Sequence, residues 1–246
     1  MVKTSEVTVR RDLRLMESQG LLDRRHGGAA APGALSHEPS YSEKSQVAGA
    51  EKIAIGELAA GLVSDGDAIA IGAGTTTQAF VRRLAHFREL TVMTNSLLVA
   101  QALARSRGVE VVMTGGSLRG SIFALVGTAA EQSFASMRLH KAFISGNGLS
   151  AERGLSTPNL LVAGVDRALV AAAEQVIVLA DHTKIGVETM ARTVPAEQID
   201  HLVTAGPVPA GELERFRAIG VQVHVAPVIG EPPGDSDKAD VSSDPS

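Results

Sequence analysis

Not one of the 246 residues is a cysteine, which removes a disulfide scaffold and any thiolate-ligated metal site, and with them any argument for an oxidising compartment. Long apolar runs are also missing. No stretch approaches the roughly 20 residues that span a bilayer, and no N-terminal segment has the charged start and continuous apolar core of a secretory signal. A cytoplasmic protein with no membrane partner is expected. The seven histidines are scattered without ligand spacing. Glu51, Asp65 and Asp67 read as ordinary helix and turn residues, so neither a metal nor another cofactor is expected. There is no internal repeat. An excess of positive charge is lacking as well, because 23 Lys and Arg against 27 Asp and Glu leave a net charge of −4, which argues against whole-surface affinity for nucleic acid.

What is present is unevenly distributed. Residues 1–28 hold Lys3, Arg10, Arg11, Arg14, Arg24 and Arg25 against Glu6, Asp12, Glu17 and Asp23, a local basic patch compatible with one DNA-facing module. Ser5 suits an N-cap, and Val9, Leu13 and Met16 recur at i, i+4, i+7 before Gly20, which predicts one amphipathic helix of about four turns. Leu21 to Arg25 reads as a short strand and His26-Gly27-Gly28 as a tight turn. Residues 30–46 lack periodicity and read as a linker. From 47 to 228 nearly continuous apolar runs such as "AIAI" and "VIVLA" alternate with helical patterns, predicting an α/β domain around a parallel sheet buried on both faces. Residues 229–246, acidic and rich in Pro and Ser, read as a disordered tail.

On the first helix the face opposite the apolar stripe presents Ser5, Thr8, Arg10 and Arg11, short hydroxyls and guanidinium groups that suit phosphates and, in a major groove, base edges. Residue types alone do not separate this from a surface helix with solvated arginines. The whole run "SEVTVRRDLRLMESQGLLDRRHGGA" closely resembles the recognition helix and wing of the winged helix-turn-helix in DeoR-type transcriptional regulators. Ser5, Thr8, Val9, Arg10, Arg11, Asp12, Leu13, Gly20, Arg24, His26, Gly27, Gly28 and Ala29 match that signature position by position. The resemblance implies DNA contacts at Ser5, Thr8, Arg10 and Arg11, with Arg25 and His26 on the wing. In that family roughly two more helices precede the recognition helix, whereas only Met1 to Thr4 stand before it here. Residues 1–29 are therefore expected to form a partial winged helix-turn-helix. Val9, Leu13 and Met16 would lose burial worth about 1.5 to 3 kcal/mol each, and an isolated helix of this length is marginal in water. The expectation is a native start further upstream, or a truncated form with poor DNA affinity.

A second constellation lies in "AIAIGAGTTTQAF". Gly72 and Gly74 allow close backbone approach, and the free amides and hydroxyls of Thr75, Thr76 and Thr77 suit an anion. Thr77 stands where a dinucleotide fingerprint needs its third glycine, which argues against a nicotinamide or flavin cofactor. Read blandly, this is a strand-to-helix turn capped by threonine. Further polar loops follow other strands: Thr94-Asn95, Gly115-Gly116, Gly146-Asn147-Gly148, and Asp181 with Lys184. In a parallel sheet such strand ends share one edge, so together they describe a pocket for a small polyhydroxylated anion. Asp181 and Lys184 also read as a surface ion pair, and Arg82, Arg83 and Arg88 as a solvated helix face.

The DeoR resemblance extends over roughly residues 1–228 through Gly74 to Thr76, Thr94-Asn95, Gly115-Gly116, Phe143 to Gly148 and Asp181 to Gly186. It implies an effector domain at 47–228 with a fold resembling ribose-5-phosphate isomerase, sensing a phosphorylated sugar. The chain departs at Ala205-Gly206, where relatives often carry Thr-Asp. The function expected is a regulator, a repressor, of carbohydrate genes, with operator DNA and a sugar-phosphate effector as partners and a homodimer or homotetramer as its assembly. Two alternatives stand beside it: a sensor or dimerisation partner that does not bind DNA, and a sugar-phosphate isomerase using Asp181 as base.

Overall fold

The structure, a computed structural model, describes residues 23–25, 28–30 and 35–228. The expected recognition helix with Ser5, Thr8, Arg10 and Arg11, together with His26 and the tail 229–246, lies outside the described residues. Arg25 closes a strand β1 (Asp23–Arg25) that pairs antiparallel with β2 (Gly28–Ala30), as the strand and turn signals before Gly28 predict.

The segment read as a linker carries a short helix, α1 (Tyr41–Ser45). Ser40 caps it and Glu43 reaches back to the Ser40 amide, a capping box written in the sequence as Ser-x-x-Glu. Then come α2 (Gly49–Ala60), β3 (Ala68–Ile71), α3 (Thr75–Val81), β4 (Leu90–Thr94), α4 (Leu97–Leu103) and β5 (Val109–Met113). A hairpin of β6 (Ser117–Arg119) and β7 (Ala124–Val126) leads to α5 (Thr128–Ala135) and β8 (Leu139–Ile144). The second half runs β9 (Gly148–Ser150), β10 (Gly154–Thr157), α6 (Leu160–Ala171), β11 (Ala173–Asp181), β12 (Ala191–Val194), β13 (His201–Ala205), α7 (Ala210–Ala218) and β14 (Gln222–Ala226).

Seven of these strands form one parallel sheet in the order β14-β13-β11-β8-β3-β4-β5. The period-2 pleat sorts their side chains to two faces. Ile69, Ile71, Ile177 and Leu179 pack with Ile55 of α2, Phe80 of α3 and Leu103 of α4. Ala70, Val176, Val178 and Ala180 face the other way, onto Phe134 of α5, Leu169 of α6 and Phe216 of α7. Because both faces are covered, the strands read as unbroken apolar runs. Each large aliphatic side chain so enclosed contributes about 1.5 to 3 kcal/mol.

The chain enters this sheet at β3, builds outward through β4 and β5, then returns to the other flank of β3 with β8 and continues through β11 to β14. The order therefore reverses between β3 and β8, and the loops leaving those two strands diverge to opposite faces, opening a crevice. The alternation of strand and helix agrees with the sequence reading, but a small antiparallel sheet, β12-β10-β9, is added to it: β8 ends at Ile144, and Gly148 opens β9. Short strands of three or four residues leave no periodicity to detect.

Helices α2 and α3 cross at Gly56, where an added methyl group would lie 2.7 Å from the Phe80 backbone nitrogen. Helix propensity favours alanine there by about 1 kcal/mol, while a backbone collision cannot be relieved by side-chain rotation. Sterics should win. Gly56→Ala is expected to destabilise the domain by about 1 to 3 kcal/mol with an unchanged urea m-value. An equal or higher urea midpoint would show that the two helices are not in contact here.

Candidate functional site

A cleft opens at the crevice between β3 and β8. Its floor is the turn from β3 into α3, with Ala73, Gly74, Thr75 and Thr76, facing Ser145, Gly146 and Asn147 after β8. Lys184 comes from the single helical turn His182–Lys184 that follows β11, and Thr157 from the end of β10. Val162 and Asp166 project from α6, whose start is fixed by the Asn159 side chain accepting from the Leu161 and Val162 amides. Glu38, Tyr41 and Lys44 close the cleft from the segment read as a linker.

That segment is tied down along its length. The Tyr41 amide donates to the Ser121 carbonyl at 2.8 Å, its ring meets Phe123 edge-on, and its hydroxyl bonds to Gln78. Arg119 donates to the Glu38 carboxylate at 2.6 Å. The buried Lys52 ammonium donates to the carbonyls of Lys44 and Val47 at 2.5 and 2.6 Å. Burial lowers the pKa of Lys44. Glu38 and Asp166 oppose that shift, and Lys184 and Lys52 add to it.

Of the residues singled out in the sequence, Gly74, Thr75, Thr76, Gly146, Asn147 and Lys184 come together in this cleft. The others lie outside its lining. Gly72 packs against Ile144 and Leu169 beneath the floor. Thr77 is buried and bonds the Gly74 carbonyl, holding the turn. Thr94 donates to the Ile71 carbonyl and accepts from the Ser96 amide, while the Asn95 side chain donates to Leu125. Both residues thus join β3, β4 and β7. Gly115 donates to Ser133, and Gly116, at φ +119°, passes too close to the Val126 carbonyl to carry a side chain. Gly148 is pressed against the Val187 carbonyl.

Asp181 is fully buried and is not the exposed partner of Lys184. It caps the turn that carries Lys184, accepting from the Thr183 amide and hydroxyl, and its other oxygen lies 3.9 Å from Lys52. Glu51 completes this corner by accepting from the His182 amide and meeting the His182 ring at 2.6 Å. Glu51, Asp181 and His182 bring potential metal-ligand atoms within 4.8 Å of one another. Two of these residues bond each other and the third faces an ammonium group, so the cluster serves here as the anchor of a turn.

Tyr41, Lys44, Ser145 and Asp166 escaped the sequence reading. The capping box at Ser40 was the available signal for the first two. Nothing in a helix such as "LLVAGVDRALVA" marks Asp166, which is 5 % exposed. Among the described residues it makes no hydrogen bond, and burial pushes its carboxyl up to about 7, with Lys44 and Arg167 pulling it down and Glu38 adding to the rise.

Residues 48–205 match the family model of the DeoR C-terminal sensor domain, and residues 1–33 that of the DeoR-like helix-turn-helix domain. The chain belongs to the DeoR family of transcriptional regulators. It is 36% identical over 208 residues to the uncharacterised HTH-type transcriptional regulator YgbI of Escherichia coli K12, covering 85% of this chain and 81% of that one. The putative aga operon transcriptional repressor of Escherichia coli O157:H7 is 34% identical over 221 residues, covering 89% and 82%. The HTH-type transcriptional repressor GlcR of Bacillus subtilis 168 is 35% identical over 204 residues, covering 83% and 78%. Among solved structures, the chain partly matches ribose 5-phosphate isomerase A from Methanocaldococcus jannaschii, with TM-score 0.40, 16% identity and coverage of 54% of this chain and 52% of that one. The eIF2B beta subunit from Chaetomium thermophilum has TM-score 0.47, 14% identity and coverage of 63% and 48%. The chain thus spans about half the length of these structural neighbours.

Asp166 yields a prediction in pH. Its carboxyl pKa in the folded state lies above the unfolded value, so the stability it supports is present in full below about pH 4 and is lost as pH rises to 7. Asp166→Asn is neutral throughout. The melting temperature of this variant relative to the native protein is expected to rise by on the order of 10 °C between pH 4 and pH 8, equivalent to a few kcal/mol. A difference independent of pH would mean that Asp166 ionises normally.

Proposed function

We propose that this DeoR-family regulator is a repressor of carbohydrate genes, and that its hold on operator DNA is released when a phosphorylated sugar occupies the cleft between β3 and β8. The observation that carries this reading is the convergence of Lys44 and Lys184 on one cleft with the Thr75 and Thr76 turn and the Asn147 amide. Two ammonium groups in a partly desolvated site suit a phosphate dianion, and hydroxyl and amide groups suit a polyol. Coupling to DNA follows from position. Lys44 belongs to the segment 35–46, which lies in the chain between the helix-turn-helix match at 1–33 and the sensor match from 48. A ligand that draws on Lys44 therefore acts on the connection between the two. The regulator works in the cytoplasm as a homodimer or homotetramer. Among the described residues no helix is long and apolar enough to cross a membrane.

An isomerase reading needs a base at the sugar. Asp181, the carboxylate on which that reading depended, is enclosed beside Lys52 and does not line the cleft.

Fluorescence anisotropy on a DNA fragment selected by the full chain tests the proposal. At least one sugar phosphate should weaken DNA binding tenfold or more. By reciprocity, DNA should weaken that sugar phosphate by the same factor. Lys44→Ala and Lys184→Ala should raise the concentration required about tenfold while leaving DNA affinity without sugar phosphate within twofold of native. Equal sensitivity of both variants and the native protein would remove the cleft from the mechanism.

A further inference from the structure

Two lysines explain why the cleft takes a phosphate, but not why it takes a sugar phosphate in preference to inorganic phosphate. One buried polar atom of its lining, the Nδ2 of Asn147, has no partner among the described residues, and beside it stands the buried residue Asp166, whose carboxyl makes no hydrogen bond there. The Asn147 side-chain oxygen accepts from the Thr157 hydroxyl at 3.3 Å, but its Nδ2 is buried with no hydrogen-bond partner among the described residues. Asp166, 5 % exposed, hydrogen-bonds nothing among the described residues, and no ion pair reaches it. Lys44 and Arg167 influence it only through space. Buried groups of this kind are ordinarily paired. Here the missing partners are complementary: the amide needs an acceptor and the carboxylate a donor. A hydroxyl is both at once, whereas a phosphate oxygen only accepts and would be repelled by an ionised Asp166.

We propose that Asp166 and Asn147 are the specificity-determining residues of the cleft, bonding hydroxyl groups of a polyhydroxylated ligand whose phosphate is held by Lys44 and Lys184. This rests on the reading of the cleft as the effector site. Asp166 then serves recognition at the expense of the fold, since its carboxyl is desolvated by burial and makes no hydrogen bond among the described residues.

The test is calorimetric titration of the full chain with inorganic phosphate, ribose 5-phosphate, glucose 6-phosphate and fructose 6-phosphate. In the native protein at least one sugar phosphate should bind tenfold or more tightly than inorganic phosphate. In Asp166→Ala and in Asn147→Ala that preference should fall below threefold, with inorganic phosphate within threefold of native. Lys44→Ala should weaken both ligand classes and keep the preference. Asp166→Asn, which retains an acceptor and the side-chain volume, guards against misfolding and should keep part of the preference. An unchanged preference in both alanine variants would overturn the assignment. A native protein that binds inorganic phosphate as tightly as every sugar phosphate would also overturn it, while leaving an anion site. Binding of none of the four would sink the effector-site reading itself.

Discussion

The ammonium group of Lys52 is the point on which the site depends. It lies in the first turn of α2, is 5 % exposed, and is held by two carbonyls of the preceding segment and by the carboxylate of Asp181. Burial lowers its pKa, and Asp181 opposes the shift. Each charge answers the other in a region with little water, and removal of either would leave an uncompensated buried ion, a loss of about 3 to 5 kcal/mol. The neighbouring Glu51 accepts from the His182 amide and meets the His182 ring. Through these adjacent residues one helical turn fixes both the strand-end loop that carries Lys184 and the segment that carries Lys44. The two cations of the cleft come from parts of the chain 140 residues apart, and α2 sets where both stand.

The parallel sheet supplies the rest of the frame. Its order reverses at β3 and β8, so the loops after these strands part and leave a crevice that neither helix layer fills. Packing reinforces the choice of edge. Phe80 and Phe143 stack 4.4 Å apart, one from α3 and one from β8, directly behind the two loops that form the cleft. Gly74 and Gly146 keep backbone in the lining. A Cβ on Gly146 would collide with Leu155 and the Ser156 carbonyl.

How much of this was legible in the sequence follows from the range of each signal. Strands such as Ala68–Ile71 and Ala173–Asp181 declare themselves by composition, since a strand covered on both faces has no polar alternation to confuse it. Thr75, Thr76 and Asn147 were legible because strand-end loops of a parallel sheet share an edge whatever the strand order. Asp181 was misjudged as exposed because its partner, Lys52, lies more than a hundred residues earlier and carries no local mark. Thr94, Asn95, Gly115 and Gly116 stand at strand ends too, but after β4 and β5, on the far side of β3 from the crevice. Only the strand order separates them from the cleft, and a sequence does not display it. Asp166 was invisible for a different reason: a lone acid in an amphipathic helix is ordinarily solvated, and the residues that share the cleft with it, Lys44, Glu38 and Thr157, come from other parts of the chain.

The charges of the cleft form one coupled set. Lys44 is weakened as a base by burial and by Lys184 and Lys52, while Asp166 is weakened as an acid by burial and by Glu38. Each shift marks a group whose charged form is poorly solvated by the protein alone. An anion placed between Lys44 and Lys184 would relieve the repulsion that Lys184 exerts on Lys44 and favour the charged form of Lys44. A ligand hydroxyl at Asp166 would supply a hydrogen bond that its carboxyl lacks among the described residues. On the proposed reading, a ligand carrying both functions would satisfy both groups, and its binding would stabilise the folded chain accordingly. The segment 35–46 shares in that gain because Lys44 and Tyr41 belong to it. On the proposed effector reading, order in this segment is linked to occupancy of the cleft, which would give a small molecule a physical route to the region matched by the helix-turn-helix family.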